Sequence, residues 1–143
     1  MVRRLLVALT SLATVTCLGF AVAPAASAAP QGGYGCAGNQ VGAHNIKNTD
    51  GSTWGTIYVY YSSANGGTNC AVNVAKKYAG QRHLLEVRIS QGNRAEKQSG
   101  YFYEYAGPVS LTNTDGKCIT LAGWVTSPSG NAVGDQWTDV HCG

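Results

Sequence analysis

His44, His83 and His141 are the side chains of this 143-residue chain best suited to move a proton near neutral pH. Ser99, His141 and Asp139 supply the residue types of a nucleophilic triad, but no Gly-x-Ser-x-Gly elbow surrounds a serine. Glu86, Glu96 and Glu104 raise the chemistry of glycoside hydrolysis, which needs two carboxyl groups facing each other across a cleft. Glu86 and Glu104 fall on the polar faces of predicted strands, with no apolar pocket to keep one of them protonated. There is no glycine-rich phosphate loop or calcium-loop pattern. The expectation is a protein without catalytic residues, resident metal or cofactor.

The cysteines carry a firmer message. Cys17 lies in an N-terminal stretch with the three parts of an export signal: basic Arg3-Arg4, an apolar run from Leu5 to Ala23, and the small residues Ala26-Ser27-Ala28. Residues 1–28 are read as a signal peptide and 29–143 as one secreted domain with no transmembrane anchor. Four cysteines then remain: Cys36, Cys70, Cys118 and Cys142. An even number in a short exported chain points to two disulfides. Three pairings are possible. The sequential one, Cys36–Cys70 with Cys118–Cys142, is preferred and closes loops of about 24 to 34 residues, each worth roughly 3–4 kcal/mol of loop entropy. Wide spacing and the lack of a Cys-x-x-Cys pair argue against zinc.

Charge narrows the partners. Without Arg3 and Arg4, eight Lys/Arg face seven Asp/Glu, a formal charge of +1. Lys76, Lys77 and Arg82 form only a small basic cluster, too little for a nucleic-acid binder.

The elements that would position a site read as short strands. Thr56–Tyr61 and Cys70–Ala75 alternate with a period of two and flank Asn65-Gly66, a pair suited to positive φ. Leu85–Ile89 is a third strand. Ser90–Ser99 is polar and is read as a loop. Tyr101–Tyr105 is a fourth strand, ended by Pro108, which lacks an N–H for a central ladder. Val109–Thr112, Lys117–Leu121 and Gln136–His141 complete the set, while Gln40–Ile46 is ambiguous between strand and turn. Eighteen glycines after the leader suit many tight turns. The fold class expected is all-β: a small antiparallel β-sandwich or partly open β-barrel with two disulfides.

The aromatic residues are the best candidates for binding. Tyr58 and Tyr60 face away from Ile57 and Val59. Trp124 is read as lying in a loop before Ser127-Pro128-Ser129-Gly130, and Trp54 lies near an element end. These four are candidate anchors for stacking on a sugar ring or a hydrophobic partner. For Tyr101, Tyr103 and Tyr105 the leading reading is a core stripe against Ile57, Val59 and Val72, and the alternative is an exposed aromatic face.

Several blocks carry a family likeness. Gly55–Tyr61, Asn69–Val74, Ser99-Gly100-Tyr101, Tyr105-Ala106-Gly107-Pro108-Val109, Gly116-Lys117-Cys118-Ile119 and the ending Val140-His141-Cys142-Gly143 are similar to the spore-associated protein A family, small secreted actinobacterial proteins. The resemblance spans most of the chain after the leader, but Lys76–Arg94 departs from the pattern. It implies an exported two-disulfide protein of the spore or hyphal surface, with no enzymatic activity and no established site residues. The leading expectation is a non-enzymatic protein of the cell or spore envelope, whose partner is an envelope polysaccharide or surface protein. A carbohydrate-binding module for cell-wall or chitin-like glycans is the second reading. A secreted inhibitor or small-ligand carrier is the third.

Overall fold

The computed structural model describes residues 32–143. The signal peptide expected over residues 1–28, its cleavage point and Cys17 lie outside the described residues. Eight strands form two antiparallel four-stranded sheets. The first sheet has the order β1 (Asn39–Lys47), β2 (Thr53–Ser62), β3 (Thr68–Ala75), β6 (Tyr105–Leu111). The second has the order β5 (Arg94–Phe102), β4 (His83–Gln91), β7 (Ile119–Thr126), β8 (Ala132–Val140). The all-β class and both bridges, Cys36–Cys70 and Cys118–Cys142, are as the sequence implies.

Period-two alternation builds the core between the sheets. Ile57 and Val59 of β2 meet Leu85, Val87 and Ile89 of β4 and Leu121 and Val125 of β7, all fully buried. Opposite Ile57 in β3 stands Asn73, whose side chain enters the same space. Its Nδ2 donates to the carbonyls of Glu86 (2.8 Å) and Trp124 (3.1 Å) on the facing sheet. Two glycines make the room. A Cβ at Gly55 would fall 2.7 Å from Asn73 Oδ1, and one at Gly123 would fall 3.1 Å from Glu86 O. A polar side chain thus joins the layers at a point where larger residues would hold them apart.

Several local expectations change. Ser90–Ser99 is not a loop: β4 and β5 pair in register from His83↔Phe102 to Gln91↔Arg94. β5 is an edge strand with much of its length exposed, so its side chains are polar although its backbone is paired. Pro108 does not end a strand. It lies inside β6, at the edge of its sheet, where the register slips between Ala71 and Asn73. Trp124 stands in β7 rather than in a loop. Gln40–Ile46 resolves into β1. Val72 faces outward opposite Tyr58, away from Ile57 and Val59. Asn65 and Gly66 do take positive φ, 56° and 70°.

Asn73→Ala is expected to lose about 1–3 kcal/mol of unfolding free energy through its missing cross-sheet bonds. Asn73→Asp is expected to lose more, because it aims a buried carboxylate at two carbonyl oxygens. Urea unfolding of both variants checks the order; equal stability of wild type and Asn73→Ala would remove the clamp.

Candidate functional site

The outer face of the first sheet is partly covered by the segment before β1. Cys36, bonded to Cys70 of β3, pins this segment down. Gly32 and Gly33 then pass directly over Tyr60: a Cβ at Gly32 would sit 2.6 Å from the Tyr60 ring, and one at Gly33 would collide with its hydroxyl. Tyr60 is buried with Cys36, Cys70, Val72 and Val74 in a second, outer cluster. Burial and the neighbouring Tyr34 push the Tyr60 hydroxyl above the ordinary tyrosine range.

The same turn presents Tyr34. Its backbone is left-handed (φ 60°), and its ring stacks on Tyr58 (centroids 6.2 Å, 13° between planes) and meets Tyr105 edge-on (5.1 Å, 63°). Lys76 Nζ donates to Tyr58 Oη at 3.0 Å. The rings continue around the edge where β5 turns into β6. Tyr34, Tyr101, Tyr103 and Tyr105 are 41%, 60%, 57% and 38% exposed. They overturn the expected core stripe of Tyr101, Tyr103 and Tyr105. The physical reason is register: Tyr101 pairs with Leu84 on the outer side of the second sheet, while Phe102 packs on the core. β5 then ends, so Tyr103 and Tyr105 do not share one strand face with Tyr101.

Between these rings lies an open trough of about 390 Å³, lined by Gln98, Tyr101, Phe102, Tyr103, Glu104, Tyr105 and Gly107. Its walls are held from behind. The Ala75 N–H donates to Glu104 O and the Gly80 N–H to Tyr103 O, each at 2.8 Å, and the Gly107 N–H donates to Gln98 Oε1. The Arg82 guanidinium lies 5.0 Å from the Tyr101 ring centroid. Flat rings, a carboxylate and an amide therefore border one shallow depression whose backbone is held by these bonds, with the Arg82 guanidinium against one of its rings.

Of the four aromatic anchors expected from sequence, two are core residues. Trp54 is buried, donates from Nε1 to Ser52 Oγ (3.2 Å) and packs edge-on against Tyr78. Tyr60 is buried under the Cys36 segment. Tyr58 is half-buried beside Tyr34, and Trp124 is 38% exposed on the outer face of the second sheet. Tyr34 was missed as an anchor, and Tyr101, Tyr103 and Tyr105 take the exposed alternative rather than the core one. The run of charged and polar residues from Arg94 to Ser99 was the available sign that the tyrosines after it close an edge strand.

The chain matches no family model, no curated protein and no solved structure.

The paper triad is dispersed. Ser99 sits on β5 and His141 follows β8, the opposite edges of one sheet, three strand spacings or about 14 Å apart. His141 instead meets His44 where β1 approaches the end of β8. Their Nε2 atoms are 2.9 Å apart and their ring centroids 5.2 Å, so the two nitrogens face each other along one line. One donates and the other accepts. Trp137 packs against His44 (5.1 Å), and nearby the Lys47 N–H donates to Asp135 Oδ2 (3.0 Å). His83 is buried elsewhere, its Nδ1 2.6 Å from Gln81 O. Among the described residues no group of three or more His, Cys, Asp or Glu could hold a metal ion, and no helix is long and apolar enough to cross a membrane.

Desolvation holds both His44 and His141 below the ordinary histidine range, and the His44 charge adds to the effect on His141. The folded pair therefore binds fewer protons than the unfolded chain. Its stabilisation is complete above the unfolded pKa, about 6.5, and is lost as pH falls through the folded values. His141→Gln is expected to show a smaller drop in melting temperature between pH 8 and pH 5 than wild type. An unchanged pH profile would show that the pair does not couple folding to protons.

Proposed function

We propose that this chain is an exported, non-enzymatic binding protein that attaches to envelope glycan through the tyrosine-lined trough. The observation that carries the reading is the gathering of Tyr101, Tyr103 and Tyr105, all exposed, around one open depression bordered by Gln98 and Glu104, with exposed Tyr34 packed edge-on against Tyr105 beside it. Buried polar cores and exposed aromatic rings answer different needs. An exposed ring costs stability unless something covers it, and the flat apolar faces of a pyranose suit it. Side-chain amide and carboxylate groups at the rim supply partners for sugar hydroxyls, and backbone bonds behind Tyr103 and Glu104 limit the ordering cost of binding.

The setting agrees with an extracellular role. The N-terminal signal pattern directs export, and two bridges suit an oxidising compartment. The likeness to spore-associated protein A points to a spore or hyphal surface as the place of attachment. The near-neutral charge after the leader argues for recognition through stacking rather than through long-range steering to a polyanion.

Co-sedimentation with purified cell walls, chitin and cellulose tests the reading. Wild type is expected to bind at least one polymer saturably. Tyr103→Ala is expected to weaken that binding about 5- to 10-fold, the equivalent of roughly 1–1.4 kcal/mol of stacking, with the melting temperature nearly unchanged. Tyr60→Ala, by contrast, is expected to cost about 3 kcal/mol of stability because it empties the outer cluster. Absence of binding to every polymer, or undiminished binding by Tyr103→Ala and Tyr101→Ala, would overturn the proposal.

A further inference from the structure

Apart from Tyr101, which also lines the trough, the outer face of the second sheet holds a different set of side chains. Strand register arranges them in cross-strand rows. One row reads Ser99, Glu86, Trp124, Gly134. The next reads Lys97, Arg88, Ala122, Gln136. The third contains Ala95, Ser90 and Thr120.

Trp124 lies across Gly134, where any Cβ would collide with the indole, so the ring rests flat on the sheet with one face to solvent. Beside it, Arg88, Ser90, Thr120 and Gln136 wall a mostly polar hollow of about 250 Å³ whose floor is Ala122. Ala122 is only 4% exposed although it points outward, because the longer side chains around it rise above it. One wall of the hollow, Arg88, has a second cation directly opposite it on the neighbouring edge strand: Lys97. Like charges in that position destabilise a sheet. Glu86, one pair along, balances one of them and leaves an excess of positive charge. The tolerated repulsion, the flat indole and the polar hollow lie within one diagonal spacing, about 7–8 Å from Trp124 to Arg88. That is the reach of a sugar stacked on the indole with a carboxylate on its ring.

We propose that this face is a second ligand site, specific for a carboxylate-bearing sugar of the uronate class: Trp124 stacks on the pyranose, Arg88 and Lys97 take the carboxylate, and Ser90, Thr120 and Gln136 bond its hydroxyls. Guanidinium matches a carboxylate in a two-pronged geometry, which makes Arg88 the group that sets the preference for acid. The site does not depend on the tyrosine trough, which lies around the β5–β6 edge.

The test is titration of the purified, oxidised protein with oligogalacturonate and with the same oligomer as its methyl ester, read by tryptophan fluorescence and calorimetry. The expected result is saturable binding of the acid form, at least 10-fold weaker for the ester and for Arg88→Gln. Trp124→Ala should abolish the binding, and Tyr103→Ala should leave it unchanged. Unfolding curves of Arg88→Gln that overlay wild type show that its loss is local. Equal affinity for acid and ester, no binding of either, or full competition by inorganic phosphate would each overturn the proposal. Loss of binding in Tyr103→Ala with retention in Trp124→Ala would also overturn it, by placing the sugar in the trough. Because Tyr103→Ala reports on the trough and Trp124→Ala on this face, failure of one reading is distinguishable from failure of the other.

Discussion

The Cys36–Cys70 bridge is the constraint on which the candidate surface depends. It fixes a segment outside the eight strands, with a single bridge residue at Ala37, onto the outer face of the first sheet. That single attachment buries Tyr60, Val72 and Val74 from a side that would otherwise face water, and it sets Tyr34 against Tyr58 and Tyr105. A loop of this length contributes roughly 3–4 kcal/mol through the unfolded state, comparable with a large part of the net stability of a small domain. The bridge therefore acts twice, once on the stability of the fold and once on the placement of a ring at the proposed binding surface.

The two sheets are treated differently as a result. The first is buried on both faces over much of β2 and β3, so their residues read as nearly continuous apolar or small runs. The second keeps a more open outer face, and β4 alternates, with Leu85, Val87 and Ile89 buried against Leu84, Glu86 and Arg88 on the outer side. Between the layers Asn73 bonds across the core. At one seam β5 turns directly into β6; at the other His44 meets His141, close to the Cys118–Cys142 bridge. The sandwich is closed at its edges by side chains and turns rather than by ladder bonds, and the aromatic trough occupies one of those edges.

The all-β class, the Asn65-Gly66 turn and the inward faces of β2 and β4 were legible because each has a local signature: period two, or a residue pair suited to positive φ. The sequential pairing of cysteines was one of three possibilities, and it is the one present. What escaped sequence reasoning was decided by distant partners. Tyr60 and Tyr58 are adjacent on the same strand face, yet one is covered and the other is half-exposed, according to where Gly32 and Gly33 pass. Tyr101, Tyr103 and Tyr105 have strand spacing, but the strand stops at Phe102, and the edge position of β5 puts their rings in solvent. Asn73 looked like an ordinary strand residue because nothing local marks the two carbonyls it reaches.

Ring-resolved NMR of the oxidised protein, with tyrosine selectively labelled and a soluble chitin oligomer or cell-wall glycan fragment added, tests the central claim most directly. The account predicts that saturating ligand shifts the resonances of Tyr34, Tyr101, Tyr103 and Tyr105 while Tyr60 and Tyr78 stay in place. Shifts confined to other tyrosines, or no shift at saturating concentrations of any envelope glycan, would contradict it.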